Sequence, residues 1–213
     1  METPPSLNGL ETDKNLIRAY LGEILASKKY EEYSKIAEKE SLISIRDLFA
    51  ETSRNEIEHS KLFLKKLKEH KTPRTPVIVD FSITSKDDTI DNLFSSISEE
   101  RFENDHLYPE FAKIAKQEGF GDVSDLFCQI SKIEQFHKLK FQKFFYLLKS
   151  GKMFKRDDIC IWVCKNCGNI EVGKGPPLKC PVCGHPQGWF EALGDSFIDV
   201  FEEEEGEGKK KLI

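Results

Sequence analysis

Two Glu-x-x-His pairs, Glu56/His59 and Glu134/His137, sit at the same register of an internal repeat. Adding 78 to Tyr30 gives Tyr108, and the same offset carries Lys35-Ile36-Ala37 onto Lys113-Ile114-Ala115. It also carries Glu40 onto Glu118, Asp47-Leu48-Phe49 onto Asp125-Leu126-Phe127, Glu56 onto Glu134 and His59 onto His137. A chance pair of short motifs would not bring such a register with it. A duplicated helical hairpin with one carboxylate–imidazole pair per copy can build a symmetric two-metal site.

Apolar spacing predicts four helices. The first spans roughly residues 12–40, with an inward line of Leu16, Tyr20, Glu23, Tyr30 and Ala37. Ser41 is expected to cap the second. Its inward line, Leu42, Ile45, Phe49, Thr52, Glu56, His59 and Phe63, advances by alternating steps of three and four, the spacing of one buried helix face. The third begins near Lys86 and carries Leu93, Ile97, Glu100, Leu107, Phe111 and Ile114. The fourth follows Gly121-Asp122 and reads Val123, Phe127, Ile130, Glu134, His137, Phe141, Phe144, Leu148. Short joins at Glu40-Ser41 and at Gly119-Phe120-Gly121 make each pair an antiparallel hairpin. Between the hairpins, residues 71–85 with Pro73 and Pro76 are long enough to cross the bundle. Two hairpins joined by one long crossover is the ferritin-like topology, so the expected fold is mainly α.

Composition shifts after Gly151. Residues 1–152 read as the bundle; residues 153–213 read as a small cysteine-bearing domain with an acidic, lysine-ended tail that is expected to be solvated. The chain is 38% hydrophobic and 32% charged, which suits a bundle with wide solvated faces. Its net charge of −5 argues against a nucleic-acid partner. No apolar run approaches the ~20 residues that span a bilayer, and residues 1–10 lack the features of a secretory signal. Six cysteines, four of them in metal-type spacing, fit a reducing compartment, so a cytoplasmic location is expected. Cys128 is expected to pack as a small apolar residue, and Cys160 is a candidate redox thiol.

Glu23, Glu56, Glu100 and Glu134 all occupy core-line positions where Leu or Phe is expected. Buried carboxylates must be neutralised, paired or metal-bound. No Lys or Arg lies on the same inward lines. Two divalent cations would balance the four charges and leave His59 and His137 one per metal. The arrangement matches, as a template, the ligand set of ferritin-like di-iron proteins. Glu23 to Glu56 is 33 positions and Glu100 to Glu134 is 34, so both halves can place ligands at one height. The extra residue falls between Glu100 and Tyr108. One residue inserted within a helix is absorbed most simply as a π-bulge. Glu103, three residues after Glu100, lies in that interval and is inferred to be a seventh ligand aimed at one metal only.

Cys164-Lys165-Asn166-Cys167-Gly168 and Cys180-Pro181-Val182-Cys183-Gly184 bracket a tetrahedral four-thiolate site. In isolation that site suits zinc; beside a di-iron pair, a one-electron iron carrier is expected. Trp162, Trp189 and Phe190 can wall it from water and also serve as the core of so small a unit.

Together these residues resemble rubrerythrins over about residues 14–194. The carrying motifs are Leu21-Gly22-Glu23, Asn55-Glu56-Ile57-Glu58-His59, Glu100-x-x-Glu103, Tyr108-Pro109-Glu110-Phe111-Ala112 and Glu134-Gln135-Phe136-His137, with the two cysteine knuckles. Ser98-Glu99, where the family often has Ala-Gly, and the lysine-ended tail are departures. The resemblance implies three iron atoms per chain: a di-iron pair and one mononuclear iron held by the four knuckle cysteines. It implies reduction of hydrogen peroxide to water, with electrons from an NAD(P)H-linked reductase or rubredoxin relayed by the rubredoxin-like iron. It also implies a head-to-tail homodimer or higher oligomer. Tyr30 and Tyr108 would hydrogen-bond ligating carboxylates, and one iron would exchange Glu103 for His59 with redox state. Two other readings remain: an iron-oxidising or iron-storing ferritin relative, and a zinc knuckle serving as an interaction module.

Overall fold

The computed structural model describes residues 6–7, 9–71, 75–79 and 87–194. Helix α1 is Glu11–Lys39 and α2 is Ile43–Glu69. A single rod follows, α3 Thr89–Phe102, a π-helical turn Glu103–Leu107 and α4 Tyr108–Gln117. Helix α5 is Gly121–Lys149. The inserted residue is therefore absorbed as the expected π-helical turn. Helix α1 packs on α2, while α3 and α4 both pack on α5. Asp88 caps α3, accepting from the amides of Ile90 at 2.7 Å and Asp91 at 3.3 Å. The start expected at Lys86, most of the crossover and the C-terminal tail lie outside the described residues.

The repeat governs how the hairpins close. Ser41 does not cap α2. It takes φ +60°, left-handed backbone. Ser41 N–H donates to Glu38 C=O at 2.9 Å and Leu42 N–H to Ala37 C=O at 2.8 Å, a Schellman closure of α1. Gly119, the repeat counterpart of Ser41, has φ +89°. Its amide donates to Lys116, and that of Phe120 to Ala115, in the same pattern. The repeated glutamates then cap across the molecule. Glu118 accepts from the amides of Glu11 and Thr12 and from the Thr12 hydroxyl, at 3.1, 2.9 and 2.6 Å. Glu40 accepts from the Thr89 amide at 3.2 Å.

Two apolar clusters fill the bundle. One gathers Leu16, Phe63, Tyr108, Phe111, Val123 and Phe127. The other gathers Tyr30, Tyr33, Phe49, Leu93 and Phe141. They are related by the repeat: Tyr30 stacks on Phe49 at 6.0 Å and Tyr108 on Phe127 at 5.9 Å. Along each long helix, the Glu and His positions fall between the two clusters.

After the bundle, strands β1 Cys160–Cys164, β2 Ile170–Gly173 and β3 Phe190–Leu193 form an antiparallel sheet in the order β2-β1-β3. Trp162 and Phe190 are buried at its centre. This unit abuts the α1–α2 turn. The Lys165 ammonium lies 3.0 Å from Asp47, and the Arg46 guanidinium sits over Trp189 at 5.4 Å. Gly188 makes the approach possible: a Cβ there would collide with the Ser41 carbonyl oxygen. Cys128 is exposed rather than packed, being one step round α5 from the Phe127–Ile130–Glu134 line. Cys160 is half-buried with its sulfur 3.7 Å from Gly173 C=O. Among the described residues no helix is long and apolar enough to cross a membrane.

Candidate metal centre

The four core-line glutamates and both histidines meet in one buried layer. Two groups of donors overlap there, Glu23/Glu56/His59/Glu134 and Glu56/Glu100/Glu134/His137, each with ligand atoms within 4.8 Å of one another. Glu56 and Glu134 belong to both. His59 Nδ1 lies 2.7 Å from Glu56, 3.1 Å from Glu134 and 3.8 Å from Glu23. His137 Nδ1 lies 2.8 Å from Glu134, 3.2 Å from Glu56 and 3.6 Å from Glu100. The two rings stack at 5.9 Å. Each carboxylate edge and each Nδ1 points into the layer because the Glu-x-x-His spacing puts both side chains on one helix face.

Eight buried side-chain atoms of this layer have no hydrogen-bond partner: Glu23 Oε2, both oxygens of Glu56 and of Glu134, Glu100 Oε2, and Nδ1 of His59 and His137. Unpartnered buried polar atoms are costly and rare. Oxygens and imidazole nitrogens aimed at a common interior are what a divalent cation requires. The donor set therefore fits a pair of metal ions.

The electrostatics carry the same strain. Burial raises Glu23 well above the usual carboxylate range, and the charges of Glu56 and Glu134 add to it. Burial likewise pushes Glu100 up to about 7, with His137 opposing. Burial would also raise Glu56, but the adjacent imidazoles of His137 and His59 hold it down at about 2. Burial lowers His59, yet Glu134 and Glu56 overcome this and lift it to about 9.

The Tyr30 hydroxyl donates to Glu100 and the Tyr108 hydroxyl to Glu23, again as repeat-related partners. Burial and the adjacent glutamates raise both phenols, so they stay protonated donors. Glu103, on the π turn, belongs to neither donor group. Burial, then the charges of Glu100 and Glu134, push its carboxyl well up.

A cation does stand beside the core lines, though not on them. Lys29, with its side chain 14% exposed, pairs with Glu99 and lies over the Tyr30 ring at 4.8 Å. Burial lowers its ammonium pKa, while the charges of Glu103 and Glu100 pull it back up. The sequence offered a faint signal, since Glu99 is one of the departures from the family pattern. Residues 29 and 99 meet beside the contact between Tyr30 and Glu100.

In the strand unit, Cys164, Cys167, Cys180 and Cys183 form one donor group. Sulfur separations of 3.7 Å for Cys164–Cys183 and 3.6 Å for Cys167–Cys180 approach the ~3.75 Å edge of a tetrahedron with ~2.3 Å metal–sulfur bonds. Gly168 and Gly184, each at φ +74°, turn the knuckles. Hydrogen bonding from the His185 amide brings the Cys183 thiol down to about 5. The Asn169 amide lowers Cys167, but burial and the neighbouring sulfurs prevail and raise it to about 12.

Comparison with known proteins gives concordant results. A family model described as rubrerythrin matches residues 14–145, and one for the rubrerythrin rubredoxin-like domain matches residues 162–191. The rubrerythrin of Clostridium perfringens is 38% identical over 90% of this chain and 99% of its own. Nigerythrin in a mixed-valence state superposes with a TM-score of 0.57 at 27% identity, covering 85% of this chain and 86% of its own. A Desulfovibrio desulfuricans bacterioferritin, 18% identical, shares the fold with a TM-score of 0.61 over 67% of this chain and 82% of its own.

Proposed function

Since the chain belongs to the rubrerythrin family, we propose that it is a cytoplasmic peroxide reductase carrying three iron atoms, a di-iron pair in the bundle and one iron on Cys164, Cys167, Cys180 and Cys183. The observation that supports this best is the pair of overlapping donor groups sharing Glu56 and Glu134, on one chain with a four-cysteine knuckle pair. In this reading Glu56 and Glu134, which belong to both donor groups, would help to hold both metals. Glu23 and His59 complete one ligand set, Glu100 and His137 the other. When bound, an iron pair there would supply the two electrons that, with two protons, turn hydrogen peroxide into two waters. Tyr108 and Tyr30 hold Glu23 and Glu100 in place by hydrogen bonds that survive only while the phenols are protonated. The apolar clusters on both sides keep bulk water from the layer. Glu103, whose charge acts on Glu23, would exchange with His59 as the charge of the pair changes.

The four-cysteine unit would receive single electrons from an NAD(P)H-linked reductase or a rubredoxin. A head-to-tail homodimer would bring one subunit's rubredoxin-like iron to the other's di-iron pair. The test is anaerobic. Fully reduced, iron-loaded protein is mixed with one equivalent of hydrogen peroxide per di-iron pair, or with dioxygen. Stoichiometric oxidation by peroxide, much faster than by dioxygen, is expected. Faster reaction with dioxygen, together with uptake of many ferric ions per chain, would establish the iron-oxidising reading instead.

A further inference from the structure

The two imidazoles of the bundle are not held alike. The Nδ2 of the Asn55 side chain on α2 lies 3.2 Å from Nε2 of His137 on α5, the ring nitrogen turned away from the carboxylates. Among the described residues no such contact reaches Nε2 of His59. The repeat explains why. Asn55 immediately precedes Glu56, and its counterpart 78 residues on, immediately before Glu134, is Ile133. By the same symmetry that makes Tyr30 and Tyr108 exchange partners, residue 133 is the one that would reach His59. An isoleucine has nothing to offer it. The His137 side chain is 1% exposed and that of His59 is 6% exposed.

We propose that Asn55 is a positioning residue that tethers His137 to its metal and leaves His59 as the imidazole able to depart. The proposal rests on the ligand assignment above and adds which histidine is fixed and by what. A neutral imidazole that gives Nδ1 to a cation keeps its proton on Nε2, and that N–H needs an acceptor. Asn55 meets it once its amide is turned to present Oδ1 in place of the Nδ2 that faces the ring in the structure. Half a turn of the side-chain amide exchanges Oδ1 for Nδ2 at no cost in shape. His137 thereby keeps a fixed ring orientation. The ring of His59 has no such anchor, so it can swing out when Glu103 moves in. Duplication alone would make both sites respond equally; the Asn55/Ile133 difference breaks the tie.

The test reads the ring N–H protons in the all-ferrous holoprotein, where metal-bound imidazole N–H signals are hyperfine-shifted in proton NMR. Signals are assigned through the neighbours one helical turn on, Phe63 for His59 and Phe141 for His137. In the wild type, the His137 N–H should exchange with solvent roughly tenfold more slowly than that of His59. Asn55→Leu should abolish this protection. Asn55→Asp, which keeps an acceptor, should retain it. Ile133→Asn, on a residue 38% exposed, should slow exchange at His59 by a similar factor. Equal exchange in the wild type, or undiminished protection in Asn55→Leu, overturns the tether and leaves the ligand assignment standing. If Asn55→Leu does not fold, Ile133→Asn decides, and unchanged exchange at His59 overturns the idea. A wild-type spectrum with no hyperfine-shifted imidazole N–H overturns the ligand assignment itself, and the tether with it.

Discussion

The α1–α2 hairpin and the α3–α5 hairpin are copies that have kept their packing and lost their equivalence at the metal layer. The packing positions still match: Tyr30/Phe49 answers Tyr108/Phe127, and Glu40 answers Glu118. The differences collect in one place. The second copy has the π turn Glu103–Leu107, and the first has Asn55 where the second has Ile133. Lys29 of the first copy reaches Glu99 of the second. A symmetric scaffold is easily built by duplication, because each core contact stabilises both copies. Chemistry in which one metal behaves differently from the other needs that symmetry broken, and a few residues suffice.

The comparison can be broken most severely at the shared carboxylates. Glu56→Ala and Glu134→Ala should each empty the bundle of metal while helicity is retained, since the apolar clusters are untouched and a like charge leaves the layer. Metal analysis beside circular dichroism checks this; a variant that keeps two irons per bundle removes that residue from the ligand set. Next come the repeated core rings. Phe49→Ala and Phe127→Ala should each destabilise by about 3–5 kcal/mol in denaturant titration, both rings being fully buried. Clearly unequal losses would mean that the two clusters are not equivalent.

Glu103→Ala should keep both metals yet slow oxidation by peroxide by about tenfold, the scale of losing one group that supports a metal site. Stopped-flow oxidation of reduced protein measures it, and an unchanged rate would leave the π turn without a chemical role. Smaller still is the cross-capping. Glu118→Gln should cost about 1 kcal/mol, more than Glu40→Gln, because Glu118 accepts from three donors and Glu40 from one. Hydrogen bonding from Thr12 overcomes burial and lowers the Glu118 pKa below 4.5. Its contribution is therefore complete above pH 4.5 and is lost as pH falls through the depressed value. The gap between wild type and Glu118→Gln should close over that acidic window and stay flat above it. The smallest effect is a gain. Ser41→Gly should stabilise by about 1 kcal/mol by relieving left-handed backbone, whereas Gly119→Ser should cost a similar amount.

Much of this protein was legible in the residues alone, because the signals are linear. The 78-residue offset, the three-four spacing, the single insertion that became a π turn and the two knuckles all depend on distance along the chain. The misreadings have one cause. Whether Ser41 caps α2 or closes α1 and whether Cys128 faces core or water depend on how neighbouring helices are rotated and what lies opposite. Lys29 and Glu99 lie 70 positions apart and meet beside the contact between Tyr30 and Glu100. Asn55 gains its meaning only when α2 is laid against α5. The sequence determined which side chains had to be buried, and so that cations must join them. Tertiary structure alone decided which buried groups face one another, because a contact between helices is fixed by packing angle and rotation, and neither is written in the spacing of a single helix.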